Sequence, residues 1–420
     1  MSEKIKEINL LIQQGEFKKS ISLIDDILNK GTQDYRLFTM KGLALFSLGK
    51  YQNSIEYFTK SIEVKKDIFL IYNYRALANI VLAKNNFAII DLKKTIELKP
   101  DYFEAYNTLG SVLLNNGKIL EAIDSYVKCL NIKSNHKLAL ENLIVALTSE
   151  NKVNYDNKII LANNEICKLK FEYSSTKFID DKIISSTFNK SNIIIDKYLN
   201  PIEYSAHQIF RRNNIDLNCE RHFKVFNKYE TIPEFCFSCY KILIEPENVL
   251  DLIKLYILFD NIKLENNNIR KCMIELRPNV SGKYKGLIYC RSFEEAQLIW
   301  VKLSKILEAN LNKKIKHEIK RGCTEFSEKY PEYKKVDGKT MNYNSNWKKN
   351  ELSIDNNFPK IAKGNHKYKT LNGNSLNDML IIRNWLFYAQ KLKDDSHTKI
   401  SDIRFYSKDI EDKISKKNYN

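Results

Sequence analysis

The feature that most constrains how this chain can fold is a period of 34 residues. It runs without insertion through four copies, at 1–34, 35–68, 69–102 and 103–136. Each copy is expected to form two amphipathic helices joined by a turn. One such pair cannot bury its apolar face alone, so neighbouring pairs must stack. The period therefore predicts a right-handed α-solenoid over the first third of the chain.

The last copy shows the pattern most clearly. Gly110 and Ala122, at its eighth and twentieth positions, are small enough for two helix backbones to approach each other closely. Tyr106 and Tyr126 are among the bulky residues expected to fill the remaining space, and Gly117 marks the turn. The first copy follows the pattern less closely, as expected of a copy at the end of the array.

This pattern resembles the tetratricopeptide repeat family over residues 1–149, with 137–149 continuing the phase as a closing helix. The resemblance implies four helix pairs whose first helices line a concave groove for a partner peptide or helix. The residues expected in that groove are apolar or amide-bearing with one cation: Arg36, Thr39, Leu43, Phe46, Asn73, Leu77, Ile80, Asn107, Ser111, Leu114 and Asn115. Relatives that grip a C-terminal carboxylate use several Lys and Arg there, so we expect a neutral groove that binds a peptide backbone and apolar side chains. The alternative is that the array only supports or spaces the rest of the chain.

The remainder of the chain differs in charge and pattern. The net charge is +17, yet residues 1–150 hold 20 Lys and Arg against 17 Asp and Glu. The basic balance therefore lies mainly after residue 150, and it favours acidic partners or a basic binding surface. Residues 150–215 are expected to form a helical connector. Residues 331–420 form a polar tail with a docking helix near 375–393.

Residues 216–330 are expected to form a cysteine-rich domain. Apolar alternation predicts strands near 240–246, 270–277, 283–290 and 315–321, with two helices between them in the order β-α-β-β-α-β. This is the order of ferredoxin-like folds, so the fold class is multidomain, α followed by α+β.

One face of that sheet is a candidate nucleic-acid interface. The third strand, Lys285-Gly286-Leu287-Ile288-Tyr289, weakly resembles the RNA recognition motif, although Leu287 replaces one stacking aromatic residue. If the isoleucines face the helices, an open basic face carries Lys241, Arg277, Lys285 and Tyr289. RNA binding on this face is an alternative function.

Two short pairs of soft ligands precede the sheet. Cys219-x-x-His222 and Cys236-x-x-Cys239 are separated by thirteen residues. This spacing approximates that of a structural Zn²⁺ site, which four such side chains fill tetrahedrally.

A second set of ligands follows from sheet topology, because Cys290 and Cys323 end strands at the edge where Cys239 begins one. These two are alternative ligands. The thiols could also be small buried apolar groups, or belong to an enzyme with a thiol or metal site.

The absence of certain motifs argues against several nucleotide-binding and enzyme classes. There is no GxxxxGK[ST], GxGxxG, HExxH or GxSxG motif. The first residues do not resemble a signal peptide and no apolar stretch is long enough to insert into a membrane, so we expect a cytoplasmic protein. The main expectation is a non-enzymatic adaptor that binds a protein or peptide.

Overall fold

The structure is a computed structural model that describes residues 2–171, 179–311, 315–336, 341–364, 368–401 and 407–417. The chain divides into two compact units. The first comprises residues 1–142 together with 353–366, and the second comprises residues 143–352 together with 367–420.

Consecutive helices build the first unit, and the last of them, α9, continues into the second. Four helix pairs are followed by a closing helix: α1 (Ser2–Gln13), α2 (Phe17–Leu28), α3 (Tyr35–Ser47), α4 (Tyr51–Val64), α5 (Phe69–Val81), α6 (Asn85–Leu98), α7 (Phe103–Asn115), α8 (Ile119–Ile132) and α9 (Lys137–Ala146). Each helix packs against the next one through α8. The prediction of a solenoid of four pairs and a closing helix is confirmed.

Glycine sets the distance between the helices of a pair. A Cβ atom on Gly42 would lie 2.6 Å from the ring of Phe58, and one on Gly110 would lie 2.6 Å from the ring of Tyr126. Both separations are well inside van der Waals contact, so only glycine fits while the ring stays in place. The alternation of small and large residues seen in the sequence is therefore a direct packing constraint.

Cations bridge consecutive pairs. Lys41 on α3 donates to Asp25 on α2 and to the hydroxyl of Tyr57 on α4, the latter at 2.7 Å. Arg75, thirty-four residues after Lys41, forms the corresponding contacts one repeat later. This polar network between repeats was not predicted.

The second unit contains a five-stranded sheet with helices. Its strands are β1 (Gln208–Arg211), β2 (Tyr240–Glu245), β3 (Arg270–Ile274), β4 (Tyr284–Cys290) and β5 (Lys316–Arg321). The helices after α9 are α10 (Lys158–Ile166), α11 (Asp181–Leu199), α12 (Cys219–Tyr229), α13 (Val249–Asn261), α14 (Phe293–Leu311), α15 (Lys348–Asn357), α16 (Pro359–Lys363), α17 (Leu376–Lys391) and α18 (Lys408–Ser415). Of these, α16 and the second half of α15 belong to the first unit.

The strand order is β1-β3-β4-β2-β5, and every neighbouring pair is antiparallel. Along the chain, β2, α13, β3, β4, α14 and β5 follow one another in the expected β-α-β-β-α-β order. The edge strand β1 was not predicted and lies in the segment that was expected to be a helical connector. The ferredoxin-like resemblance stays a prediction.

One face of the sheet packs against helices. Ile242 and its cross-strand partner Ile288 are completely buried on this face. A Cβ atom on Gly286 of β4 would collide with Leu255 of α13, so glycine lets that helix lie directly on the sheet. α14 packs against β2, β4 and β5, and α17 packs against β1 and β3.

A separate apolar cluster lies where β5 ends. It contains Ile232, Cys236, Cys323, Phe326 and Tyr333, all buried. Short 3₁₀ helices at Glu234–Phe237, Thr324–Glu328 and Pro331–Lys334 carry most of these residues. This cluster holds two of the cysteines that sequence spacing singled out.

Candidate functional site

The groove residues predicted from the repeat lie on α3, α5 and α7. Asn73 and Leu114 are buried, Arg36 is exposed, and the others are half-buried. Three successive first helices thus present the same mixture of amide, hydroxyl and apolar side chains. An amide can bond a peptide backbone through both its donor and its acceptor.

The one cation expected in the groove is neutralised locally. Arg36 donates from Nε and Nη2 to the carboxylate of Asp34, the residue that caps the start of α3, over 2.6–3.1 Å. The side-chain hydrogen bond between them lowers the pKa of Asp34 and raises the pKa of Arg36. The groove therefore carries little net charge.

Some of the groove's polar atoms are already used within the first unit. Thr39 and Ser61 share a hydrogen bond of 2.8 Å between their hydroxyls. The amide of Asn142 reaches Asn107 Oδ1 and Ser111 Oγ, each at 3.5 Å. By contrast, Asn73 makes no side-chain hydrogen bond to any residue that the structure describes. Its amide is therefore an unused polar group among the described groove residues.

A segment from late in the chain belongs to the first unit. Residues 353–366 group with the solenoid, and α16 packs against α5. Pro359 occupies the first helical position, where its fixed φ and missing N–H are tolerated. Within α16, Ile361 is half-buried and Lys360 is exposed. Sequence reasoning did not find this contact, because it joins segments almost 300 residues apart.

Comparison with protein families decides the identity of the solenoid. Two models, both described as tetratricopeptide repeat, match residues 92–124 and residues 35–68. The N-terminal solenoid is a tetratricopeptide repeat array. The second match coincides with one predicted copy of the period, and α3 and α4 form its helix pair.

Several solved structures resemble the tetratricopeptide array. MamA is 23% identical, covers 33% of this chain and 82% of its own, and gives a TM-score of 0.33. YrrB, a repeat protein with an unusual peptide-binding site, is 19% identical over 34% of this chain and 74% of its own, with a TM-score of 0.33. The first repeat domain of Spaghetti (RPAP3), bound to an HSP90 peptide, is 26% identical over 27% of this chain and 90% of its own, with a TM-score of 0.27. No curated protein sequence matches the chain.

The sheet face proposed for RNA is not open. Leu243, Met273 and Leu287 form a buried cluster on it, with Tyr289 half-buried beside them. The expectation of an exposed stacking platform is therefore wrong, because apolar residues on this face are covered just as those on the helix face are.

The basic residues of that face are committed to contacts within the chain. Lys285 is buried and pairs with Glu275 at 2.9 Å, and Arg277 pairs with the same carboxylate at 2.7 Å. Lys241 donates to the carbonyl of Gly322 at 2.5 Å, and burial lowers its pKa. Of these cations only Arg277 remains largely exposed. Lys285 and Lys241 are therefore not available to bind a phosphate group.

The structure brings together most of the cysteines that sequence spacing selected. Cys219 lies near enough to Cys323 and His222, and Cys323 near enough to Cys236, for each to influence the other's protonation. Cys239 lies near enough to interact electrostatically with Cys219 and Cys323.

Their surroundings leave the thiols of Cys219 and Cys239 hard to ionise. Interaction with Cys323 raises the pKa of Cys219, followed by the effect of burial, and burial raises the pKa of Cys239 to about 11. Nucleophilic or redox catalysis needs a thiolate near neutral pH. The arrangement therefore does not favour an enzyme that uses these cysteines as nucleophiles. As the side chains are placed, no group of three or more His, Cys, Asp or Glu in the described ranges could hold a metal ion.

A pocket of about 290 Å³ adjoins the cysteines and was not foreseen. Cys239, Cys290, Tyr289 and Asn268 are among its lining residues. Asn268 donates to Tyr289 O and to Glu295, each at 2.9 Å, while its Oδ1 is buried and accepts no hydrogen bond from any described residue. The walls of the pocket are mostly apolar.

None of the described helices has a stretch both apolar enough and long enough to cross a membrane.

Proposed function

We propose that the tetratricopeptide array is a protein-binding scaffold whose groove takes a short helical or extended segment of a partner. The chain then acts as an adaptor rather than an enzyme. The observation that carries this proposal is the packing of α16 on α5. α5 also packs against α4 and α6, and we propose that α16 lies on the side of α5 that bears Asn73 and Leu77.

The chemistry of the groove supports a neutral ligand. The pairing of Arg36 with Asp34 removes its one expected cation from carboxylate recognition. Half-buried Leu43, Phe46 and Leu77 supply apolar contact area, and Asn73 supplies an unused amide. Helices that dock in grooves bind mainly by apolar anchors, with amides fixing their direction. We therefore expect a ligand with one or two apolar anchors and no requirement for a free C-terminus.

The experiment uses a labelled synthetic peptide with the sequence of residues 353–364, SIDNNFPKIAKG. The full chain carries Ile361→Glu, which weakens its own segment and frees the groove. We expect the peptide to bind, measured by fluorescence anisotropy, and binding to fall when Leu77→Ala and Asn73→Ala are added.

The matched control is Leu120→Ala, which removes an exposed leucine on a second helix, α8, outside the proposed groove. It should leave binding unchanged. Equal loss in the control and groove variants, or no peptide binding at all, would reject the groove as the binding surface.

RNA binding is not carried forward as a proposal. Lys285 and Leu287 of the sheet face are buried, and the positive charge of Lys285 is paired with Glu275. An enzyme acting through the cysteines is not proposed either, because the surroundings of Cys219 and Cys239 disfavour their thiolate forms.

A further inference from the structure

The pocket beside Cys239 lies at one end of the sheet, where three neighbouring strands begin or end. Cys239 directly precedes β2, Ile269 directly precedes β3, and Tyr289 and Cys290 end β4. Because β4 is antiparallel to both β2 and β3, these residues lie at the same end of the strands. Tyr289 N donates to Ile269 O at 2.9 Å, which ties two of the walls together. The pocket thus stands on the sheet of the second unit and is separate from the solenoid groove.

Apolar side chains form most of the pocket wall. Ile269 is buried at the end of the sheet, and Ile215, Leu217 and Phe235 come from segments outside it. The volume of about 290 Å³ lies near the lower end of the range of small-molecule sites, roughly 300–1,000 Å³. The pocket therefore has room for a ligand with one aromatic ring or a short alkyl chain.

Arg291 gives the pocket a cation whose charge is not paired within the described chain. Its exposed guanidinium forms no ion pair and no hydrogen bond with any residue that the structure describes. Glu295 follows closely in the chain, but its carboxylate already accepts from Asn266 at 2.8 Å, Asn268 at 2.9 Å and the backbone N–H of Arg291 at 2.6 Å. The guanidinium therefore keeps its donors for a ligand.

The other polar groups of the pocket also suit an anion. Tyr289 is half-buried, and its hydroxyl makes no hydrogen bond to any described residue. Burial raises the pKa of Tyr289, so the hydroxyl keeps its proton at neutral pH and can donate it. None of the described residues that line the pocket is an Asp or a Glu. A negatively charged ligand would therefore meet donors and a cation without a lining carboxylate to repel it.

We propose that this pocket binds a small carboxylate with an apolar body. The walls around Ile269 and Phe235 take the body, Arg291 pairs with the carboxylate, and the hydroxyl of Tyr289 donates to it. A guanidinium matches a carboxylate with two parallel hydrogen bonds. One lining arginine balances a single negative charge, which favours a carboxylate over a doubly charged phosphate.

The test titrates the purified full chain with 4-phenylbutyrate and with its neutral analogue 4-phenylbutanamide, each followed by calorimetry. Both have one ring and one chain, so they differ mainly in charge. We expect saturable binding of the carboxylate, about tenfold tighter than that of the amide, as for a hydrogen bond to a charged group at an exposed site. This comparison uses the native chain and does not depend on the folding of a variant.

Variants then place the binding in the pocket. Arg291→Gln should weaken binding of 4-phenylbutyrate about tenfold and leave binding of the amide unchanged. Tyr289→Phe should also weaken only the carboxylate. Ser238 is exposed and lines the pocket, so Ser238→Trp should block both ligands while circular dichroism stays native.

The matched control is Lys302→Gln, which removes an exposed cation of α14 that does not line the pocket. It should leave both affinities unchanged. Three results would overturn the proposal: no saturable binding of 4-phenylbutyrate, equal affinity for the carboxylate and the amide, or binding that survives Ser238→Trp.

Discussion

Arg75 donates hydrogen bonds to both carboxylate oxygens of Asp91, from Nε at 2.9 Å and from Nη2 at 2.7 Å. Its remaining terminal nitrogen donates to Thr59 at 3.0 Å. Asp91 lies in the same repeat as Arg75, and Thr59 lies in the preceding one. One guanidinium therefore connects three helices, α4, α5 and α6, across the boundary between two repeats.

Removal of Arg75 should destabilise the array locally. The side chain of Asp91 is 4% exposed, so Arg75→Ala leaves a buried carboxylate without its partner. Breaking a buried pair in this way costs roughly 3–5 kcal/mol, and we expect the lower end because Arg75 is itself partly exposed. Hydrogen exchange of the α5 and α6 amides in the full chain measures the loss.

The control for this variant is Lys94→Ala. Lys94 pairs with Glu97 at 2.5 Å, but the two side chains are 36% and 67% exposed. Water and salt screen exposed pairs, so exchange should hardly change. If both variants exchange alike, the Arg75–Asp91 pair does not stabilise the array.

Gly110→Ala should be destabilising, although the same change inside a helix normally stabilises by about 1 kcal/mol. The reason is the ring of Tyr126, which would lie 2.6 Å from the new Cβ atom. The equivalent positions of the third repeat hold Ala76 and Leu92, both completely buried. The double variant Gly110→Ala, Tyr126→Leu copies that pair.

Thermal unfolding followed by circular dichroism compares the single and double variants of this pair. The double variant should be more stable than Gly110→Ala alone. If the single variant is as stable as the native chain, the close packing of Gly110 on Tyr126 does not limit the helix spacing.

The second unit should lose stability in acid through Glu275. Burial alone would raise the pKa of this carboxyl, but hydrogen bonds from Arg277 and Lys285 outweigh it and hold the pKa at about 2. A carboxyl whose folded pKa lies below its unfolded value stabilises the fold above the unfolded pKa, near 4.5. That contribution is lost as the pH falls from about 4.5 toward 2.

Glu275→Gln should therefore lower stability at neutral pH and flatten its dependence on pH between about 4.5 and 2. Trp300, Trp347 and Trp385 all lie in the second unit, so tryptophan fluorescence in urea reports on that unit alone. Glu265→Gln, at a side chain 89% exposed, serves as the control. An unchanged pH profile in Glu275→Gln would contradict the ion-pair explanation.

The contact between α16 and α5 predicts a local effect of charge. Ile361→Glu places a carboxylate at a half-buried position of α16, so the amides of both helices should exchange faster with solvent. Lys360→Glu changes the charge by more but lies at an exposed position, and it should have little effect. Equal exchange in the two variants would show that Ile361 does not anchor the segment.

The solenoid was predictable because its signal is local and repeated. The packing of Gly42 on Phe58 lies within one repeat, so the sequence carries it as a fixed spacing. β1 was missed for the opposite reason. It has four residues, and its pairing partner β3 begins some sixty residues later, so no local pattern marks it.

The two faces of the sheet show what an alternation of apolar residues can and cannot predict. It correctly placed Ile242 and Ile288 against the helices, because period two fixes which residues share a face. It could not decide whether the opposite face is covered. Leu243 and Leu287 on that face were the available signal, since apolar residues at alternate positions on both faces indicate a sheet buried on both sides.

The cysteine spacing was informative but incomplete. It selected Cys219, His222, Cys236 and Cys239, and the structure places these three cysteines near Cys323. The spacing could not show which of Cys323 and Cys290 lies near the other cysteines. The face of the sheet on which a sulfur lies depends on strand register. Tyr240 pairs with Cys290 on one side and Arg321 on the other, and that register places Cys323 with the cluster.

The cations that link neighbouring repeats recur at the same spacing as the apolar residues. Thirty-four residues separate the members of each equivalent pair: Asp25 and Thr59, Lys41 and Arg75, Tyr57 and Asp91. Loss of residues 35–68 as one block, as in unequal recombination, would place Asp25 where Thr59 stood and give Arg75 a second carboxylate. The array could therefore lose one whole repeat, and Arg75 would still have acceptors for its hydrogen bonds.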